Sequence, residues 1–121
     1  MSAYREPADP EERAERQLVV ASVTYRTDEL LANLRGASGR ASEDFFQRIR
    51  FPYVSQKSEV ELLETNLQGL EHAIEETEAF VALHASEAPA LYPVLFELQA
   101  LTDDISDALV KWRTLSRLRS R

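Results

Sequence analysis

The sequence predicts an all-α protein: an antiparallel helical bundle of three long helices, plus one short helix between the first two. Apolar residues recur at spacings of three and four through three long segments, which is the period of an amphipathic helix. Three glycines and five prolines fall mostly between those segments, leaving little room for a sheet. The 121 residues suffice for one domain. We assign residues 9–121 to that domain and residues 1–8 to a disordered N-terminal tail.

The first long helix is predicted to begin after Asp9, a suitable N-cap, with Pro10 at its first position. An apolar stripe follows at spacings of three and four until Gly36, a helix stop: Val20, Val23, Thr27, Leu30 and Leu34. A second, weaker stripe falls on roughly the opposite side of the helix: Leu18, Ala21, Tyr25 and Ala32. A helix that is apolar on two sides is central in its bundle or shared with a partner chain. We therefore expect oligomerisation, as a homodimer, through this second stripe.

The other two long helices form a predicted hairpin. One has a capping-box pattern, Ser58 to Glu61, although it could begin as early as Pro52. Its apolar seam is regular: Val60, Leu63, Leu67, Leu70, Ile74, Thr77 and Val81. The last helix is predicted to begin at Pro89, or to become regular only after Pro93. Its apolar residues recur at spacings of four and three: Leu91, Leu95, Leu98, Thr102, Ile105, Leu109 and Trp112. The short link between them predicts antiparallel packing. Seven glutamates in residues 59–78 would then lie beside the five basic residues of 111–121.

Charge and composition exclude several classes of function. The net charge of −7 disfavours broad binding to nucleic acid or anionic lipid. Cysteine is absent, so disulfides and thiolate metal sites are excluded. The N-terminus lacks the apolar core of a signal peptide and no apolar run approaches membrane-spanning length, so we expect a cytoplasmic protein without membrane contact.

One segment of the chain combines aromatic and basic residues. In "EDFFQRIRFPYVSQK", from Glu43 to Lys57, four of the nine Phe and Tyr residues interleave with arginines, and a short helix is predicted from Ser42 to about Ile49. Aromatics with arginine are used by protein interface hot spots and by base-stacking surfaces, whereas the phenylalanines of a short helix can equally plug the open end of a bundle. As partner-binding candidates we take Phe45, Phe46, Arg48, Arg50, Phe51 and Tyr53.

Acidic pairs are the candidate metal ligands. Asp103, Asp104 and Asp107 spell Asp-Asp-x-x-Asp, but the helical period places them largely on a solvated face, with Asp107 four residues before Lys111. Glu75-x-x-Glu78 followed by Asp104-x-x-Asp107 resembles the all-helical MazG-type nucleotide pyrophosphohydrolases, although the second pair begins with Asp. That resemblance implies magnesium held by Glu75, Glu78, Asp104 and Asp107, with the metal bridging to substrate phosphates.

No other pattern in the sequence indicates catalysis. There is no Gly-x-Ser-x-Gly elbow or glycine-rich phosphate loop, and neither His72 nor His84 has an evident ligand or nucleophile partner. We therefore predict no catalytic residue, no metal and no cofactor. The leading hypothesis is a small interaction module, an adaptor, chaperone-like or regulatory protein that acts through protein–protein contacts. The alternatives are the magnesium-dependent hydrolase and nucleic-acid binding by the aromatic segment.

Overall fold

The computed structural model describes residues 9–36 and 58–119, and within these ranges the protein is all-α. The described helices are α1 (Pro10–Gly36), α2 (Glu59–Leu83) and α3 (Ala88–Arg119), with a short 3-10 turn (Ala85–Glu87) before α3. The predicted short helix Ser42–Ile49 and the predicted tail 1–8 lie outside the described residues.

Local side-chain contacts fix the starts of the first two helices as the sequence predicts. The Oδ1 atom of Asp9 accepts a hydrogen bond from the Glu11 N–H at 3.0 Å, and α1 begins at Pro10. Ser58 is the N-cap of α2, with its Oγ atom accepting from the Glu61 N–H at 3.2 Å. These bonds satisfy backbone donors that lack an intrahelical partner.

The connection between α2 and α3 is as short as predicted, but α3 starts earlier than one of the two predicted positions. It begins at Ala88 and continues through Pro93. Pro89 lies in the first turn, where a missing N–H is tolerated, and Pro93 lies only one turn further on. The prediction that α3 settles only after Pro93 is therefore wrong.

A single apolar core lies among the three helices, each of which contacts both of the others. Fully burying one leucine stabilises the fold by about 1.5–3 kcal/mol, so this core is the main source of stability. Most of its buried members belong to the predicted stripes, and four lie beside those stripes: Ala73, Phe80, Val94 and Leu101. The stripe members of the core are Val23, Leu30, Leu34, Val60, Leu63, Leu70, Leu91, Leu98, Ile105, Leu109 and Trp112.

Ion pairs between helices reveal the helix directions. Arg26 of α1 contacts Asp104 of α3, whereas Glu15, earlier in α1, contacts Lys111, later in α3. These two helices therefore run in opposite directions. The same holds for α2 and α3, because Glu64 near the start of α2 contacts Arg113 near the end of α3, while the short link joins the end of α2 to the start of α3.

It follows that α1 and α2 run in the same direction, so the expectation of an antiparallel arrangement does not apply to this pair. Three helices that all touch one another cannot all be mutually antiparallel. The α2–α3 link is too short for a parallel pair, whereas 22 residues separate Gly36 from Glu59. The long connection is thus the one that joins parallel neighbours.

No single helix in the described ranges is long and apolar enough to cross a membrane; α2 and α3 meet the length and composition test only when counted together as a bent pair.

Candidate interaction surfaces

The second apolar stripe of α1 faces solvent in the single chain. Leu18 is 72% exposed and Tyr25 is 69% exposed, and Ala21 and Ala32 are exposed beside them. The opposite side of the same helix buries Val23, Leu30 and Leu34 in the core. The two-sided apolar pattern therefore corresponds to one buried stripe and one exposed stripe, referred to below as the outer stripe of α1.

A groove between α1 and α3 extends the outer stripe sideways. It encloses about 390 Å³ and has a mainly apolar lining that includes Leu18, Val19, Val23 and Ala108. Two ion pairs mark its length: Arg26 Nη1 to Asp104 Oδ2 at 3.0 Å and Lys111 Nζ to Glu15 Oε1 at 3.4 Å. An apolar floor between charged contacts is the usual anatomy of a protein-binding patch.

Lys111 has a different partner from the one that the sequence suggests. The spacing of four predicts a pair with Asp107 on the same helix, but Lys111 instead reaches Glu15 on α1. The physical reason is that the α1–α3 contact brings Glu15 within reach, and an exposed pair within one helix is worth only about 0.3–0.5 kcal/mol.

A third apolar surface lies on α3, on the side away from the core. Phe96 is 65% exposed, Val110 is 63% exposed and Tyr92 is 45% exposed. The rings of Tyr92 and Phe96 stack with centroids 6.3 Å apart. Tyr92 also lines a second groove, between α2 and α3, with Val81, Ala82 and Leu95.

The carboxylates of the magnesium hypothesis lie on different flanks of α3. Glu78 lines the groove between α2 and α3, whereas Asp104 lines the groove between α1 and α3 and pairs with Arg26. Glu75 and Asp107 are exposed. Within residues 9–36 and 58–119, no three His, Cys, Asp or Glu side chains are grouped so that they could hold a metal ion.

The remaining predicted candidates divide between described and undescribed residues. Asp103 is exposed, as expected for a solvated helix face. His72 and His84 are exposed too, and the His84 ring packs on Phe80 with centroids 4.5 Å apart. The partner-binding candidates of the aromatic segment lie outside the described residues: Phe45, Phe46, Arg48, Arg50, Phe51 and Tyr53.

One buried cation was not anticipated from the sequence. Arg16 of α1 is only 1% exposed, its Nη2 atom contacts Glu12 Oε1 at 3.1 Å, and its guanidinium lies 4.8 Å from the ring centre of Trp112. A signal was present, since Arg16 precedes Val20 by four and Val23 by seven and so continues the buried stripe of α1. Charge alone argued against placing it there, because arginine is rarely buried without partners.

Comparisons with known proteins do not add a family to this picture. No protein-family model, no curated protein and no solved structure matches the chain.

Proposed function

We propose that this protein is an interaction module, a helical bundle that acts through protein–protein contacts and associates with a second copy of itself. The observation that supports the proposal most strongly is the outer stripe of α1, where Leu18 and Tyr25 are more than two-thirds exposed on a helix whose other side is buried. Scattered exposed apolar residues are ordinary, whereas a stripe beside an apolar groove is typical of a contact surface.

Self-association through this surface would be isologous. In a twofold dimer the same patch serves on both chains, and each copy can offer Leu18 as a projection and the α1–α3 groove as its receptor. A stable specific interface buries about 1,200–2,000 Å² in total, which is why we include the groove as well as the stripe. Ala21 and Ala32 in the stripe would allow two α1 helices to approach closely.

The test is the mass of the full-length protein in solution. Sedimentation velocity over a range of concentrations should give a species of twice the 13.8 kDa chain mass. Replacing Leu18 and Tyr25 together with glutamate should give a monomer with unchanged helical circular dichroism, because both side chains are exposed and contribute little to the core.

A matched variant controls for the general effect of adding charge to an exposed apolar position. Phe96 and Val110 are exposed to a similar extent on α3, and their replacement with glutamate should leave the dimer intact. A wild-type protein that remains monomeric at all concentrations would exclude self-association. A dimer that survives the α1 substitutions would place the interface elsewhere.

A further inference from the structure

The groove between α2 and α3 has an apolar floor and an open aromatic edge. It encloses about 440 Å³, and its lining includes Val81, Ala82, Tyr92 and Leu95. Phe96 stands beside it, stacked on Tyr92 with an interplanar angle of 30° and 65% of its surface exposed. Exposed aromatic side chains at a groove are efficient anchors for a partner, because they present a large contact area with few rotatable bonds.

The charge around this groove has one sign. From Glu59 to Val110 the sequence contains twelve acidic residues and neither lysine nor arginine. Glu71, Glu75 and Glu78 repeat at four and three on one side of α2, and Glu78 lines the groove itself. Asp103 follows Phe96 by seven residues, so it lies on the same side of α3.

These acids are not neutralised by the rest of the described chain. Glu71, Glu75, Glu78 and Asp103 are exposed and have no ion-pair partner in residues 9–36 and 58–119. The cross-helix pairs of the described chain involve other carboxylates: Glu64, which contacts Arg113, lies about two helical turns before Glu71. Asp104, next to Asp103, pairs with Arg26 on the α1 side of α3. A concave acidic surface raises the local concentration of cations and steers cationic partners towards it.

We propose that the α2–α3 groove binds a cationic amphipathic helix of a partner protein. Apolar residues of that helix would pack on Val81, Tyr92 and Phe96, while its arginines or lysines would face Glu71, Glu75, Glu78 and Asp103. An arginine could also stack on the exposed ring of Phe96. Laying the apolar face of an amphipathic helix into a groove is a recurrent mode of peptide recognition.

Other occupants fit the groove less well. Nucleic acid would be repelled by the surrounding carboxylates, and a bare metal ion would not use the apolar floor. Arg26, Lys111 and Arg113 pair with carboxylates of the same chain away from this groove. We commit to a separate protein as the source of the cationic face. The proposal rests on the interaction function proposed above and names its partner class, but it uses a different surface from the outer stripe of α1.

Binding of three labelled peptides to the full-length protein tests the proposal by fluorescence anisotropy. The first peptide places leucines at i, i+3, i+4 and i+7 on an arginine- and lysine-rich helix. The second has the same composition with the leucines dispersed around the helix, and the third keeps the apolar pattern but replaces the basic residues with glutamate. The first should bind at least about tenfold more tightly than either control and should weaken as salt rises, because the exposed charges are screened. Equal binding of the first two would reduce the surface to general charge attraction and overturn the proposal.

Variants locate the binding site. Phe96→Ser with Glu78→Gln should weaken binding of the first peptide at least about tenfold, since it removes one anchor and one charge. The matched control, Leu118→Ser with Glu29→Gln, changes a similarly exposed apolar residue near the C-terminal end of α3 and an exposed acid of α1, and should bind like the wild type. Equal affinity of the two variants would overturn the proposal.

The same measurement separates this proposal from self-association. The Leu18 and Tyr25 glutamate variant should still bind the first peptide when it is monomeric. Loss of peptide binding in that monomer would assign the groove to the dimer contact and overturn the proposal. An intact dimer that fails to bind any of the three peptides would overturn the groove proposal and leave self-association standing.

Discussion

α1 and α2 run side by side in the same direction and pack on the same third helix, yet they do so with different chemistry. α2 buries a nearly continuous apolar seam, in which Thr77 is the buried polar residue and its hydroxyl donates to the Ala73 carbonyl oxygen at 2.6 Å. α1 buries Arg16 and Thr27 among its apolar residues and leaves Leu18 and Tyr25 outside.

The difference indicates how each helix can meet a partner. α1 contacts α3 through Glu15 and Arg26, which carry opposite charges and are each neutralised by a residue of α3. The exposed side of α1 between these two ion pairs is therefore apolar. α2 carries an exposed row of glutamates beside an apolar groove. A second copy suits the first surface and a cationic helix suits the second. Three measurements on stability sharpen this comparison.

The largest expected effect is at Arg16, the buried cation of α1. Replacing it with alanine should lower the free energy of unfolding by about 3 kcal/mol, because truncating this fully buried side chain leaves a void and removes its contact with Glu12, which is part-buried. The substitution also removes the stacking on Trp112. Urea unfolding, followed by far-ultraviolet circular dichroism, measures the loss of unfolding free energy directly.

Arg26 provides the control for Arg16, since it lies on the same helix and pairs with Asp104 while 39% exposed. Its replacement with alanine should cost less than about 1 kcal/mol. Equal losses at the two positions would mean that burial does not distinguish them.

The buried threonines of the two helices should respond with opposite signs. Thr27 of α1 is 4% exposed and its Oγ1 atom has no hydrogen-bond partner, whereas Thr77 of α2 is fully buried with its hydroxyl bonded. Thr27→Val should raise the free energy of unfolding by about 1 kcal/mol and Thr77→Val should lower it by a similar amount, since the first removes an unmet hydroxyl and the second a formed bond. Thermal melting of both variants checks the signs, and a loss of stability at Thr27 would show that its hydroxyl is satisfied.

The smallest effects are expected at the exposed ion pairs that join each helix to α3. Double-mutant cycles on Arg26–Asp104 and on Glu64–Arg113 should each give a coupling of about 0–1 kcal/mol. Both values should fall towards zero in about 1 M salt, where the screening length is only about 3 Å. If the coupling energy of either ion pair persists in high salt, that pair contributes to stability beyond fixing the relative position of its two helices.

Sequence reasoning located the described helices well because their signals are local. The Asp9 and Ser58 caps act within three residues, and the apolar period of three and four reads directly from neighbouring turns. The outer stripe of α1 was also visible as Leu18, Ala21, Tyr25 and Ala32, and these residues are exposed in the single chain. Whether a second copy covers them stays a prediction, as does any role for the aromatic segment.

The sequence alone therefore determined the all-α class, the starts of α1 and α2 and most of the apolar residues that face the core, since each depends on contacts within a turn or two. Tertiary structure decided the parallel course of α1 and α2, the pairing of Lys111 with Glu15 and the burial of Arg16 against Trp112. The last two features each join residues 96 positions apart, and the first depends on how the long connection is routed. No local pattern encodes them, because the free energy that selects them arises only when all three helices pack together.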